Sequence, residues 1–181
     1  MKIIHARKAH LKDIKKLYLS AFPVQERKPF WIIKNRAQQG TMEILRLEKN
    51  GFAGLAITVL YQDYVLLDYF AIDASRRGEG LGTEAIRLLQ KRYADKKFFL
   101  EIEAPDPTAA NQAQRVSRKN FYLRNGLVYQ NLTVKVYGVV MEILTTGFSL
   151  SASSYLEIYE RGISPMIAKT ICIFSDPEDS K

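Results

Sequence analysis

The stretch Arg76-Arg77-Gly78-Glu79-Gly80-Leu81-Gly82-Thr83 has the residue types and spacing to bind an anion. Its three glycines let backbone come close to a ligand, and the stretch opens a helix whose exposed first amides carry the positive end of the helix dipole. A phosphate fits such a place. A simple strand-to-helix turn is the other reading of so short a glycine pattern. Spacing excludes two familiar phosphate loops. A P-loop closes on Gly-Lys-Ser/Thr, whereas Gly82 runs directly into Thr83. A dinucleotide fingerprint sets its third glycine three residues after the second, whereas Gly80 is followed at once by Leu81 and Gly82.

Acid–base chemistry has fewer candidates. Asp68 lies in the run Tyr64-Val65-Leu66-Leu67-Asp68-Tyr69-Phe70-Ala71-Ile72. Strict alternation would put it on one face with Leu66 and Phe70. Enclosed by Leu67, Tyr69 and Phe70, its carboxyl could be raised and accept a proton through water; a structural, hydrogen-bonding aspartate is the alternative. Glu101 and Glu103 share a strand face, and Arg115 and Arg118 sit three apart on the next helix, with Tyr122 four beyond. That spacing permits helix-to-strand ion pairs. These four read mainly as structural, with Glu101 a reserve base.

The elements that must position these residues alternate between strand and helix periods. A strand is expected near 2–6, helices near 10–20 and 30–38, and strands near 41–48 and 52–60 flanking an Asn50-Gly51 hairpin signal. The strand at 64–72 leads through the glycines into a helix carrying Leu81, Ala85, Ile86, Leu88, Leu89 and Tyr93 at helical spacing. A strand at 97–104, joined by a crossover, should lie parallel to the one at 64–72. A helix over 112–124 ends at Asn125-Gly126. Strands near 127–132 and 134–144 follow, then a serine-capped helix at 151–161 and a frayed tail from Asp176.

At 181 residues the chain suits one domain. This domain is expected to span 1–175, with 146–175 packing on it as a C-terminal extension. A lone cysteine, Cys172, and an N-terminus without an apolar signal core point to the cytoplasm. No apolar run reaches membrane-spanning length, so no membrane partner is expected. With only His5, His10 and that cysteine, no metal site is expected. The net charge of +8 arises in residues 1–60, which hold 12 Lys+Arg against 4 Asp+Glu. A solvated basic face explains most of this, and no nucleic-acid motif accompanies it.

In their order, Arg77-Gly78-Glu79-Gly80-Leu81-Gly82 and Phe121-Tyr122-Leu123-Arg124-Asn125-Gly126-Leu127 resemble two motifs of the GNAT superfamily of N-acetyltransferases. The first is similar to the family's acetyl-CoA pyrophosphate loop, the second to its Phe-Tyr-x-x-x-Gly-Phe element, with Leu127 in place of phenylalanine. The resemblance implies an α/β fold: a mixed, largely antiparallel sheet of about seven strands with a splayed parallel pair, flanked by about four helices plus a C-terminal one. It implies that acetyl-CoA lies in the splay, bound by Phe70, Ala71, Ile72, Arg77, Gly78, Glu79, Gly80, Leu81, Gly82 and Thr83. It implies Tyr122 as the acid for the CoA thiolate and matches Asp68 to an acid that many members carry on this strand. Arg115 and Arg118 replace the usual Asn and Ala, which resembles a bacterial-type branch with Arg-x-x-Arg before the Phe-Tyr element. Glu26-Arg27 falls where such proteins wall the acceptor side, so Arg27 is either a carboxylate holder or simply exposed. The implied function is N-acetyl transfer to an amine of a small molecule or peptide, in a chain that could dimerise. The alternative is a non-catalytic acyl-CoA-binding regulator.

Overall fold

The computed structural model describes residues 1–175, and the tail expected from Asp176 lies outside the described residues. The chain opens with strand β1 (Lys2–His5) and helices α1 (Leu11–Ala21) and α2 (Phe30–Gln38). It continues through strands β2 (Met42–Glu48), β3 (Phe52–Tyr61) and β4 (Tyr64–Ile72). Helix α3 (Leu81–Arg92) leads to β5 (Lys97–Glu103), and α4 (Gln112–Arg124) leads to the hairpin of β6 (Val128–Val136) and β7 (Val139–Thr145). Helix α5 (Ala152–Glu157) runs into a π-turn at Ile158–Ile163. The short α6 (Pro165–Ala168) and β8 (Cys172–Ser175) follow.

All eight strands form one sheet in the order β1-β2-β3-β4-β5-β7-β6-β8, antiparallel except for β4 and β5. The mixed α/β architecture is the expected one with one strand more, because Cys172–Ser175 pairs with β6. Four residues are too few to show a period. The β6–β7 turn also falls later than expected, at Tyr137-Gly138 rather than near 133, and both turn residues have positive φ (52° and 81°). Two consecutive positive φ values give the tight turn whose twist suits a hairpin. Asn50-Gly51 does the same between β2 and β3 (φ 52° and 103°).

Helices cover both faces. Ile14, Leu17 and Tyr18 of α1, Ile33 of α2, and Tyr155, Ile158, Tyr159 and Ile163 of the C-terminal segment pack on one face against Leu55, Ile57, Val59 and Phe99. Ile86 and Leu89 of α3 and Tyr122 of α4 pack on the other, against Ala56, Phe98, Leu100 and Ile102. The π-turn lies close to the sheet because residue 162 is glycine: a Cβ there would stand 2.4 Å from Val59 Cγ1.

β4 departs from strict alternation. Thr58 pairs with Leu67 and Ile57 with Tyr69, so Asp68 is the extra residue of a bulge. Leu66 and Tyr69 consequently share one face, while Val65, Leu67 and Phe70 pack on the other. The expected common face of Leu66, Asp68 and Phe70 is therefore broken by the inserted residue. Parallel pairing of β4 with β5 runs only from Tyr64↔Lys97 to Leu67↔Leu100 and stops at this bulge. Past it β4 stays on β3, where Gly54 allows so close an approach that a Cβ would lie 2.3 Å from the Ala71 carbonyl oxygen. β5 meanwhile stays on β7 through Glu103↔Met141. The sheet splits between them.

Candidate active site

The split opens a cleft of about 960 Å³ lined from both faces of the sheet. Phe121 and Tyr122 reach it from the α3/α4 face, and Lys28 and Tyr159 from the other. The Asp73 amide donates to the Ala53 carbonyl on β3 (2.9 Å). Alternation then turns the amides of Ala71 and Tyr69 to β3 as well and leaves those of Phe70 and Ile72 along the open edge.

The glycine turn stands at the far end of β4. Gly78 and Gly80 hold φ of 87° and 72° with open space where a Cβ would point. Among the described residues Gly80 caps α3 without a side-chain partner, which leaves the amides of Leu81, Gly82 and Thr83 open to a ligand. Arg77 and Gly82 line the cleft. The Leu81 side chain is buried against Leu47 and Ala53, so only its backbone is available. Arg76 turns away, holding Glu79 at 2.8 Å. A Cβ on Gly82 would touch the Phe121 ring at 3.4 Å, which shows how closely α4 approaches this helix start.

Tyr122 is fixed by the end of its helix. Gly126, at φ 86°, donates to the Leu123 carbonyl (3.0 Å) and Leu127 to the Tyr122 carbonyl (3.2 Å), the paired bonds of a Schellman cap. Gln90 of α3 reaches across to the Asn125 carbonyl (3.0 Å) and ties the cap down. The phenol lines the cleft, and burial pushes its pKa up to about 12, with Arg118 opposing.

Asp68 meets a group that the sequence reading passed over. Lys28, from the loop between α1 and α2, is buried with its Nζ 2.7 Å from Asp68 Oδ1. The loop is held in place by hydrogen bonds from Tyr69 Oη to the Glu26 carbonyl (2.8 Å), from the Lys28 amide to Tyr69 Oη (3.0 Å) and from Tyr18 Oη to the Lys28 carbonyl (2.9 Å). Burial alone would lower the Lys28 pKa, but Asp68, Tyr137 and Glu101 outweigh it and hold the ammonium above its ordinary value. Asp68 Oδ2 is buried without a partner among the described residues. The signal in the sequence was weak: one lysine in a loop that also carries Arg27. Glu26 lines the cleft, whereas Arg27 turns back to the Leu19 carbonyl (3.0 Å).

The two strand glutamates part company. Glu103 takes both arginines, at 2.9 Å from Arg115 and 3.1 Å from Arg118. Glu101 takes neither. It accepts from Tyr155 Oη (2.9 Å) and Tyr159 Oη (2.8 Å), both on the C-terminal segment. Desolvation raises its carboxyl to about 7 against the pull of the Tyr159 hydrogen bond. These tyrosines lie more than fifty residues on in sequence, so spacing around β5 could not reveal them. No group of three or more His, Cys, Asp or Glu among the described residues could hold a metal. No helix of the described residues is long and apolar enough to cross a membrane.

Comparison with known proteins agrees with this architecture. A family model described as "Acetyltransferase (GNAT) family" matches residues 11–122. A search of curated proteins finds no match. Among solved structures, a putative GNAT-family acetyltransferase from Bacteroides thetaiotaomicron superposes with a TM-score of 0.71 at 17% identity, covering 89% of this chain and 95% of that one. The ribosomal-protein-S18-alanine N-acetyltransferase of Escherichia coli gives 0.62 at 18% identity, over 83% and 96%. The spermidine N-acetyltransferase of Vibrio cholerae, in complex with CoA and spermine, gives 0.62 at 11% identity, over 86% and 97%.

Proposed function

Because the chain belongs to the acetyltransferase (GNAT) family, we propose that it is an acetyl-CoA-dependent N-acetyltransferase that moves acetyl directly to an amine of a small molecule or peptide. The observation that carries this reading is the breach in the sheet, reached by Tyr122 from one face and by Lys28 and Tyr159 from the other. Donor and acceptor entering from opposite faces can meet without a covalent enzyme intermediate. Two of the structural neighbours named above act on amines of very different size, a ribosomal protein and a polyamine.

The residues suit the donor. Free amides at the start of α3, the two positive-φ glycines and Arg77 make a cradle for a pyrophosphate. The open-edge amides of Phe70 and Ile72 offer strand-like hydrogen bonds to a pantetheine arm. Bound there, acetyl-CoA supplies an activated acetyl group and a thiolate leaving group.

Glu101 is the proton acceptor for the amine. Its carboxyl titrates near neutral pH, and the two tyrosine hydroxyls fix its orientation. Asp68 already faces an ammonium at 2.7 Å, a poor neighbour for a group that must take up a proton. It acts instead on the acceptor wall, through the position of Lys28. Tyr122 keeps its proton on Oη at neutral pH and is the donor for a departing sulfur.

Incubation of the pure protein with acetyl-CoA and a panel of amines, monitored by thiol release, tests the reading. Calorimetric CoA binding without thiol release from any amine would support the non-catalytic regulator. No CoA binding at all would refute both.

A further inference from the structure

Behind the loop that walls the cleft lies a second concavity, a groove of about 590 Å³ between α1 and α2. Its apolar strip is unusually open: Trp31 is 69% exposed, Val24 71% and Leu19 47%. Lys12 and Lys15 stand on α1 and Lys34 on α2, all exposed. Among the described residues these three lysines make no ion pair and no side-chain hydrogen bond. No carboxylate among the described residues lines the groove. The nearby acids are used elsewhere, Asp13 by Arg46 at 3.3 Å and Glu26 on the cleft side.

An apolar strip flanked by two unpaired lysines on α1 and one on α2 is complementary to one kind of surface. A helix with an apolar stripe and carboxylates on its flanks would bury its stripe on Trp31, Val24 and Leu19 and set its acids against the lysines. Trp31 offers a polynucleotide one stacking plane, and aliphatic Leu19 and Val24 beside it add none for a following base. A lipid surface takes apolar side chains that project, whereas these line a concavity.

We propose that the α1–α2 groove docks an acidic, amphipathic helical segment of a protein partner, with Trp31 as the central anchor. The inference rests on the groove alone and holds whether or not the cleft transfers acetyl. Lys28 borders both the groove and the cleft, so the partner sits against the back of the segment that presents this lysine to Asp68.

Trp31 is the sole tryptophan of the chain, so its emission reports directly on the groove. The probe is a synthetic peptide of Leu, Ala and Glu, with leucines at helical spacing and glutamates on both flanks. It should shift the emission to the blue saturably, and binding should weaken with added salt. The K12E/K15E/K34E variant, checked for folding by far-UV circular dichroism, should bind about tenfold more weakly or worse. If that variant does not fold, the Lys→Gln triple variant replaces it, with a smaller loss in the same direction. The proposal is overturned if the peptide leaves the emission unchanged, or if a counterpart with lysine in place of glutamate binds equally well. It is equally overturned if neither triple variant loses affinity, or if a single-stranded oligonucleotide or anionic vesicles shift the emission where the acidic peptide does not.

Discussion

Tyr159 donates its hydroxyl to both carboxylate oxygens of Glu101, at 3.0 and 2.8 Å, across 58 residues of sequence. This bond favours the ionised carboxylate, while burial favours the neutral one and wins, leaving Glu101 near 7. In the proposed role, kcat/KM should rise with pH through an ascending limb near 7 that belongs to Glu101. Tyr159→Phe should move that limb up by roughly one unit, since a hydrogen bond to a charged group is worth about 1.5 kcal/mol or more. Glu101→Gln should abolish it and cost about 10² to 10⁴ in rate. Profiles of the three proteins against one amine share any titration of the substrate, so only the difference is read. An unchanged limb in both variants would remove Glu101 from the reaction.

The same carboxyl makes stability depend on pH. Its folded value of about 7 lies above the ordinary 4.5, so the folded state holds the extra proton between those values. The contribution is fully present below 4.5 and is lost as pH rises through 7. Urea midpoints of the native protein should therefore fall relative to Glu101→Gln between pH 4.5 and 7.

Lys28 and Asp68 are both nearly excluded from solvent, with side chains 3% and 7% exposed. Lys28→Met leaves a buried carboxylate without its cation and should cost about 3 to 5 kcal/mol in denaturant unfolding. Adding Asp68→Asn removes the orphaned charge and should recover much of that loss. Additive losses in this double-mutant cycle would mean the pair is not coupled.

Tyr122→Phe tests the proposed acid without disturbing the packing of the ring. The phenol has no hydrogen-bond partner among the described residues, so the melting temperature should barely change. In contrast, kcat should fall by about 10² or more, with CoA affinity retained in calorimetry. A CoA-binding regulator would show the retained affinity and no rate to lose.

Gly80→Ala separates backbone conformation from space. Nothing stands within 4 Å of a Cβ at Gly80, so only its φ of 72° resists a side chain. The strain should cost roughly 1 to 2 kcal/mol. Calorimetry should show that cost as weaker CoA binding if the loop relaxes to relieve it.

The sequence displayed the scaffold well and the Lys28 and Tyr159 side of the cleft poorly. Asn50, Gly51 and Gly126 mark their turns because positive φ favours those residue types, and helices α2 and α4 begin and end where their periods do. The glycine turn before α3 was visible for the same reason. Tyr137-Gly138 hid its turn, since tyrosine carries no such preference. Lys28, Tyr155 and Tyr159 could not be read locally: each meets Asp68 or Glu101 through a tertiary contact spanning forty or more residues. Alternation misplaced Asp68 because a bulge requires the partner strand to be known.

That bulge also sets how the chain can vary in length. Because Asp68 is one residue in excess of its ladder, deleting it restores unbroken alternation and leaves Leu66 and Tyr69 on the same face of the sheet. Tyr69 would then keep its face and its hold on the Lys28 loop. Substitutions at Asp68 change a charge and keep the bulge, whereas a deletion removes the irregularity at which the pairing of β4 with β5 stops. Variants of this chain that keep the cleft should therefore accept the first more readily than the second.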